Sequence, residues 1–200
     1  MKIETLPLGQ LDTNCYIVYD EAACVCAVID PGACGGRIAA RVQELGLRMQ
    51  CVLLTHSHFD HIGGLSALLQ ELPAPVYVTE EDAADPSGLS YGMLRYTDLY
   101  REGDELNVGA VRLRVMQTPG HTPGSVCLLT DGVLFSGDTL FAGACGRTDF
   151  RGGSMDRMLC SLRRLAQLPE QTIVLPGHGE RTTIREELRS NPYVREALEG

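Results

Sequence analysis

The chain has 200 residues, 44% of them hydrophobic, and its 17 Lys and Arg stand against 26 Asp and Glu for a formal net charge of −9. That length suits one domain spanning 1–200 around a substantial core, and the acidity leaves no basic footprint for nucleic acid or an anionic membrane. The longest apolar run, Ala22 to Ile29, falls well short of the ~20 residues of a membrane span, and Met1–Thr5 carries no apolar signal-peptide segment, so a cytoplasmic protein is expected.

The 22 Gly and 10 Pro predict many short elements joined by turns. Lys2–Leu8, Asn14–Tyr19 and the apolar Cys24–Ile29 read as strands, the last closed by an Asp30-Pro31-Gly32 turn. Arg37–Leu45 carries Ile38, Val42 and Leu45 at helical spacing. Cys51–Leu54 reads as a short buried strand, Gly64–Gln70 as a helix and Val76–Val78 as a strand, followed by a less regular stretch from Asp82 to Tyr100. Val111, Leu113 and Val115 alternate with Arg112 and Arg114, the pattern of a strand with one wet face. Ser125–Leu129 and Val133–Ser136 flank Asp131-Gly132, a hairpin signal. Ser154 is a candidate N-cap for a helix with Met155, Met158, Leu159, Leu162, Leu165 and Leu168 on one stripe. Thr172–Leu175 and Thr182–Arg189 read as the last strand and the last clear helix. Strand meanders followed by strand–helix alternation predict two sheets sandwiched by helices, an α/β (α+β) domain.

The eight cysteines form no Cys-x-x-Cys pair. Cys15, Cys24, Cys26, Cys51, Cys127 and Cys160 lie in apolar stretches and read as buried free thiols, whereas Cys34 and Cys145 sit on glycine-rich loops.

The five histidines fall in a pattern. Cys51–Leu54 runs into Thr55-His56-Ser57-His58-Phe59-Asp60-His61, Val111–Val115 leads to Gly120-His121, Val133–Phe135 to Gly137-Asp138, and Ile173–Leu175 to Gly177-His178. Ligand chemistry in α/β proteins gathers at the carboxyl ends of strands, so neighbouring strands would bring these turns to one rim. Imidazole and carboxylate suit a divalent cation, and five His with two Asp match a pair of cations sharing one carboxylate. His56 and His58, two apart on an extended segment, point the same way and can chelate one ion.

The string His56-Ser57-His58-Phe59-Asp60-His61 resembles the His-x-His-x-Asp-His signature of the metallo-β-lactamase-fold hydrolases, with His121, Asp138 and His178 following in the family's order. The resemblance implies an αββα sandwich of two mixed sheets flanked by helices. It also implies two divalent ions, zinc favoured with iron or manganese open to the same nitrogen and oxygen ligands. His56, His58 and His121 would hold the first ion, Asp60, His61 and His178 the second, and Asp138 both.

The segment Asp138 to Arg147 resembles that of glyoxalase II enzymes, the hydroxyacylglutathione hydrolases, in which a basic residue meets glutathione; Gly146-Arg147-Thr148-Asp149-Phe150 and Pro176-Gly177-His178-Gly179 are closest to the compact bacterial branch. The implied activity is hydrolysis of a small acyl-thiol such as S-lactoylglutathione, with Asp60 or Asp138 orienting the attacking water and Arg147 binding the carrier. Asp149 stands where the longer enzymes have tyrosine, and their C-terminal helical substrate domain has no counterpart, so Arg147 reads equally as the partner of Asp149. A mononuclear-iron persulfide dioxygenase, which resembles the chain in both motifs, is the alternative. A lactonase, a β-lactamase (Asp138 stands where a cysteine ligand is common) or a nuclease of this fold fits less well. Tyr91, Tyr96 and Tyr100 could line a pocket mouth or pack as ordinary surface residues, and the oligomeric state is left open.

Overall fold

The computed structural model describes residues 1–199. The chain opens with an antiparallel meander: β1 (Lys2–Leu8) pairs with β2 (Thr13–Asp20), which pairs with β3 (Val25–Ile29). Helix α1 (Gly35–Glu44) then carries the chain over so that β4 (Arg48–Leu53) lies parallel to β3. The one-turn helix α2 (Phe59–Ile62) and α3 (Leu65–Glu71) lead to β5 (Val76–Val78); α4 (Glu80–Ala83) and an irregular excursion lead to β6 (Asp98–Leu99), and both strands extend the sheet in parallel. The second meander comprises β7 (Glu105–Val108), β8 (Val111–Gln117), β9 (Val126–Thr130) and β10 (Val133–Gly137). After the small hairpin of β11 (Leu140–Phe141) and β12 (Ala144–Cys145), α5 (Met155–Leu165) returns the chain so that β13 (Ile173–Pro176) runs parallel to β10. The two-residue β14 (Thr182–Thr183) closes that edge, followed by α6 (Ile184–Ser190) and α7 (Pro192–Glu199). The result is two six-stranded sheets, β1-β2-β3-β4-β5-β6 and β14-β13-β10-β9-β8-β7.

Three apolar layers follow from the alternation of side chains along each strand. Ile17, Val28 and Val52 face out of the first sheet onto Ile38, Val42, Leu65 and Leu68 of α1 and α3. Their sequence neighbours Tyr16, Val18, Ile29 and Leu53 face in and meet Leu113, Val115, Leu128 and Phe135 of the second sheet. Cys127, Leu134 and Val174 cover the far side against Met158, Leu162, Ile184 and Val194 of the last three helices. Strands buried on both faces explain why Val25–Ile29 reads as an unbroken apolar run. This helix–sheet–sheet–helix arrangement is the expected sandwich. Among the described residues no helix is long and apolar enough to cross a membrane.

Several elements depart from the expected bounds. β4 begins at Arg48 because its first residues alternate exposed and buried before the apolar run. The edge strand β7 and the one-turn α2 carry too few apolar residues to show a period. α7 follows Asn191, and its Pro192 occupies the first helical position, where a missing N–H costs nothing. Ser154 caps α5 by accepting the Arg157 N–H at 3.3 Å, but the helix ends at Leu165, and Leu168 packs from the following turn. Cys15, Cys26, Cys51 and Cys127 are buried, whereas Cys24, in a left-handed turn, and Cys160, on α5, are exposed, correcting the expectation for those two.

Candidate metal centre

β8, β10 and β13 run in one direction in the second sheet, and β3 and β4 run together in the first. Their carboxyl ends deliver Asp30, His56, His121, Asp138 and His178 to one rim, and α2 adds Asp60 and His61. The loop after β3 lies so close to α2 that a Cβ on Gly32 would sit 1.8 Å from the Asp60 carbonyl oxygen, which no other residue allows.

All seven expected ligands converge there. The donor atoms of His56, His58 and His121 lie within 4.8 Å of one another, as do those of Asp60, His61 and His178, and those of His56, His61 and Asp138. Asp138 reaches both halves: Oδ1 is 3.3 Å from His61 Nε2, and Oδ2 is 3.6 Å from both His121 Nε2 and His178 Nε2. His178 Nε2 lies 3.1 Å from Asp60 Oδ2.

The hydrogen bonds behind the rings decide which nitrogen faces inward. His121 Nδ1 donates to the Arg147 carbonyl at 2.7 Å and His178 Nδ1 to the Leu11 carbonyl at 3.1 Å. His61 Nδ1 donates to Asp30 Oδ2 at 2.9 Å. The Thr55 hydroxyl gives its proton to Asp30 at 2.6 Å, so His56 Nδ1 donates to it at 3.1 Å. A carbonyl or carboxylate only accepts, so each of these rings keeps a lone pair on Nε2 for the centre. His58 instead turns Nδ1 to within 2.8 Å of His121 Nε2.

Burial pushes His56 well below its ordinary pKa and His58 down to about 4, with neighbouring imidazoles adding to both effects. Both rings are thereby held in the neutral form a cation requires. Burial opposes the ionised form of Asp60, yet the hydrogen bond with His178 and the charge of His61 hold it below the usual carboxylate range. Burial also works against a charged His61, but the carboxylates of Asp138 and Asp30 outweigh it and raise this ring. Without a cation its Nε2 therefore carries a proton toward Asp138, which a bound cation would displace.

Four buried atoms at the centre, His56 Nε2, His58 Nε2, His61 Nε2 and Asp138 Oδ1, find no hydrogen bond. Buried polar atoms seldom go unsatisfied. His58 Nε2 lies on the side of its ring away from His121, while His56 Nε2, His61 Nε2 and Asp138 Oδ1 face the centre, where a cation would satisfy them. The groups fit a dinuclear site.

Supports not expected from sequence surround it. Asp30 reads as a turn residue, although it ends β3 as the other acids and histidines end their strands. Asn14 and Tyr16 reach across from β2 to the His178 loop, donating to the Pro176 carbonyl at 3.0 and 2.6 Å, and Asn14 also to the Gly179 carbonyl at 3.0 Å. A cavity of about 420 Å³ opens above the centre, walled by Leu11, Phe59, Leu89, Phe141, Phe150 and Arg147. Arg147 forks onto Asp149 at 2.7 and 2.6 Å, with its guanidinium carbon 4.1 Å from the centre of the Phe150 ring. Tyr100 is buried between the sheets and donates to the Leu54 carbonyl, Tyr96 is exposed, and Tyr91 rests on Phe59 with ring centres 5.5 Å apart. None of the three tyrosines lines this cavity.

A family model described as the metallo-beta-lactamase superfamily matches residues 8–178. The chain belongs to this superfamily. It is 38% identical to the probable metallo-hydrolase YqgX of Bacillus subtilis (97% of this chain, 98% of that one) and 34% identical to the hydroxyacylglutathione hydrolase GloC of Haemophilus influenzae, with the same coverage. Among solved structures it resembles the BLEG-1 B3 metallo-beta-lactamase (TM-score 0.86, 36% identity, 96% of this chain and 99% of that one). It is equally similar to ETHE1 from Myxococcus xanthus (0.87, 35%, 99% and 88%) and to TTHA1623 in a di-iron-bound form (0.84, 35%, 95% and 99%). This superfamily member thus stands at similar distance from relatives of differing names.

Proposed function

We propose that this superfamily member, residues 1–200 taken as one domain, is a dinuclear metal-dependent hydrolase of thioesters. One ion would be held by His56, His58 and His121, the other by Asp60, His61 and His178, with Asp138 shared. The observation that carries this reading is the Asp138 carboxylate standing between two groups of three potential ligands beneath an apolar-walled cavity. Zinc, or iron as in the di-iron relative, suits the donors.

Bound divalent ions supply a nucleophile from water at neutral pH and a Lewis acid for the carbonyl. Asp60 and Asp138 accept hydrogen bonds and so orient the attacking water. Leu11, Phe59, Phe141 and Phe150 give the acyl-thiol an apolar wall to lie against. A thiolate leaves without a strong general acid, and none is needed from the chain. The similarity to GloC supports an acyl-glutathione as one substrate. Thiol release from S-lactoylglutathione and from a small neutral thioester, each abolished by chelation, is expected. Turnover of a β-lactam or lactone with no thiol release from either would overturn the reading.

Arg147 is proposed to meet a carboxylate of the carrier at the cavity mouth, its planar fork exchanging Asp149 for the ligand. Arg147→Ala should then raise KM for the glutathione thioester with kcat little changed, the mark of lost uniform binding. The small neutral thioester should be unaffected and metal content should stay at its original level. Equal losses on both substrates, or a lowered melting temperature, would make the pair with Asp149 purely structural.

A further inference from the structure

Asp82, on the one-turn helix α4, is wholly buried behind the three-histidine half of the centre. Its partners are backbone amides: Oδ2 accepts the Ser57 N–H at 2.8 Å and Oδ1 the Gly124 N–H at 2.9 Å. Ser57 stands between His56 and His58 on the loop leaving the first sheet. Gly124 lies three residues beyond His121 on the loop leaving the second. The neighbouring Thr79 hydroxyl donates to the Gly124 carbonyl at 2.8 Å, so α4 grips both polar groups of that residue. The fit leaves no slack, because a Cβ on Gly124 would lie 2.2 Å from Thr79 Oγ and 2.6 Å from Asp82 Oδ1.

The other half of the centre is held by different groups. Asp30 holds His61 directly and reaches His56 only through the Thr55 hydroxyl, Thr13 donates to Asp60 Oδ2 at 3.2 Å, and the Leu11 carbonyl holds His178. None of these runs through Asp82.

We propose that Asp82 is the positioning residue of the three-histidine half, clasping the His56–His58 loop of one sheet to the His121 loop of the other. The two loops come from different sheets, and the backbone amides Asp82 receives stand one and three residues from the ring-bearing positions. Removing it lets His121 drift from His56 and His58 while Asp60, His61 and His178 stay in place. Outer partners of metal ligands commonly govern affinity in this way. The inference rests on the ligand assignment proposed above, and the experiment separates the two.

Metal-free protein is titrated with Co²⁺ against a competing chelator, following the visible absorption of the bound ion. His178→Ala isolates the three-histidine half, and His121→Ala isolates the other. Adding Asp82→Asn, which turns an amide donor toward a backbone donor at constant volume, should weaken Co²⁺ binding about 10–100-fold in the His178→Ala protein. In the His121→Ala protein the change should stay within about twofold, since the outer partners of that half are untouched. Gly124→Ala should reproduce the asymmetry through sterics alone. If Asp82→Asn fails to fold, Thr79→Val carries the test, with a smaller loss in the same half and recovery in Thr79→Ser. Unchanged binding in the His178→Ala background, or equal weakening of both halves with a lowered melting temperature, would overturn the proposal. An otherwise unmodified chain that binds fewer than two Co²⁺ would overturn the ligand assignment itself, and this inference with it.

Discussion

Asp138→Ala is expected to cost more activity than the loss of any one of the five histidines. In the proposed assignment each histidine serves one ion, whereas the Asp138 carboxylate stands 3.3 to 3.6 Å from His61, His121 and His178 at once. With Asp60 it is one of the two carboxylates that would face the proposed pair of dications, and it would offset their mutual repulsion. Without it both proposed ions would bind more weakly and the nucleophile they would supply would lose an orienting acceptor, a loss of several kcal/mol in transition-state stabilisation. Hydrolysis should fall by about 10³-fold or more, equivalent to ~4 kcal/mol, and elemental analysis should find both equivalents diminished. A variant that retains both metals and near-normal turnover would show that the carboxylate is not shared.

The second large effect is expected at Asp30. Its buried carboxylate accepts the Thr55 N–H at 2.8 Å, the Thr55 hydroxyl at 2.6 Å and His61 Nδ1 at 2.9 Å. Asp30→Ala strands a buried amide and a buried hydroxyl, each costing ~1–3 kcal/mol, and frees His61 to rotate or change tautomer. A stability loss of about 3 kcal/mol is expected, read as a fall in Tm of roughly 6–12 °C for a chain this size. A second-half metal affinity lowered about 10–100-fold should accompany it. Asp30→Asn keeps one acceptor oxygen, so it should recover part of the stability and less of the affinity. Equal recovery of both would mean that Asp30 holds the β3 and β4 ends together without orienting His61.

The layered architecture and the convergence of the histidines were legible in the sequence because both follow from local pattern. Val25–Ile29 and Val133–Phe135 are apolar throughout because both their faces are covered, and a His or Asp directly after such a run points to the sheet rim. What escaped depends on contacts distant in the chain. Asp82 lies in an irregular stretch with no apolar period, and its role appears only when the loops at Ser57 and Gly124 come together from different sheets. Asn14 and Tyr16 look like ordinary strand residues until β2 is seen facing the His178 loop, whose Pro176 lies 162 and 160 positions away. Arg147 and Asp149, two apart on a glycine-flanked loop, suggest both a pair and a ligand-binding fork. The fold brings them together at the cavity mouth, paired with each other and within reach of a ligand there.

The dinuclear assignment is tested most directly by counting metals in protein purified without chelator. Elemental analysis should approach two equivalents of zinc, or of zinc mixed with iron, per chain, with thioester hydrolysis lost on their removal and restored on their return. A single tightly held iron, with oxygen-dependent turnover of a persulfide and no thiol release from thioesters, would contradict it.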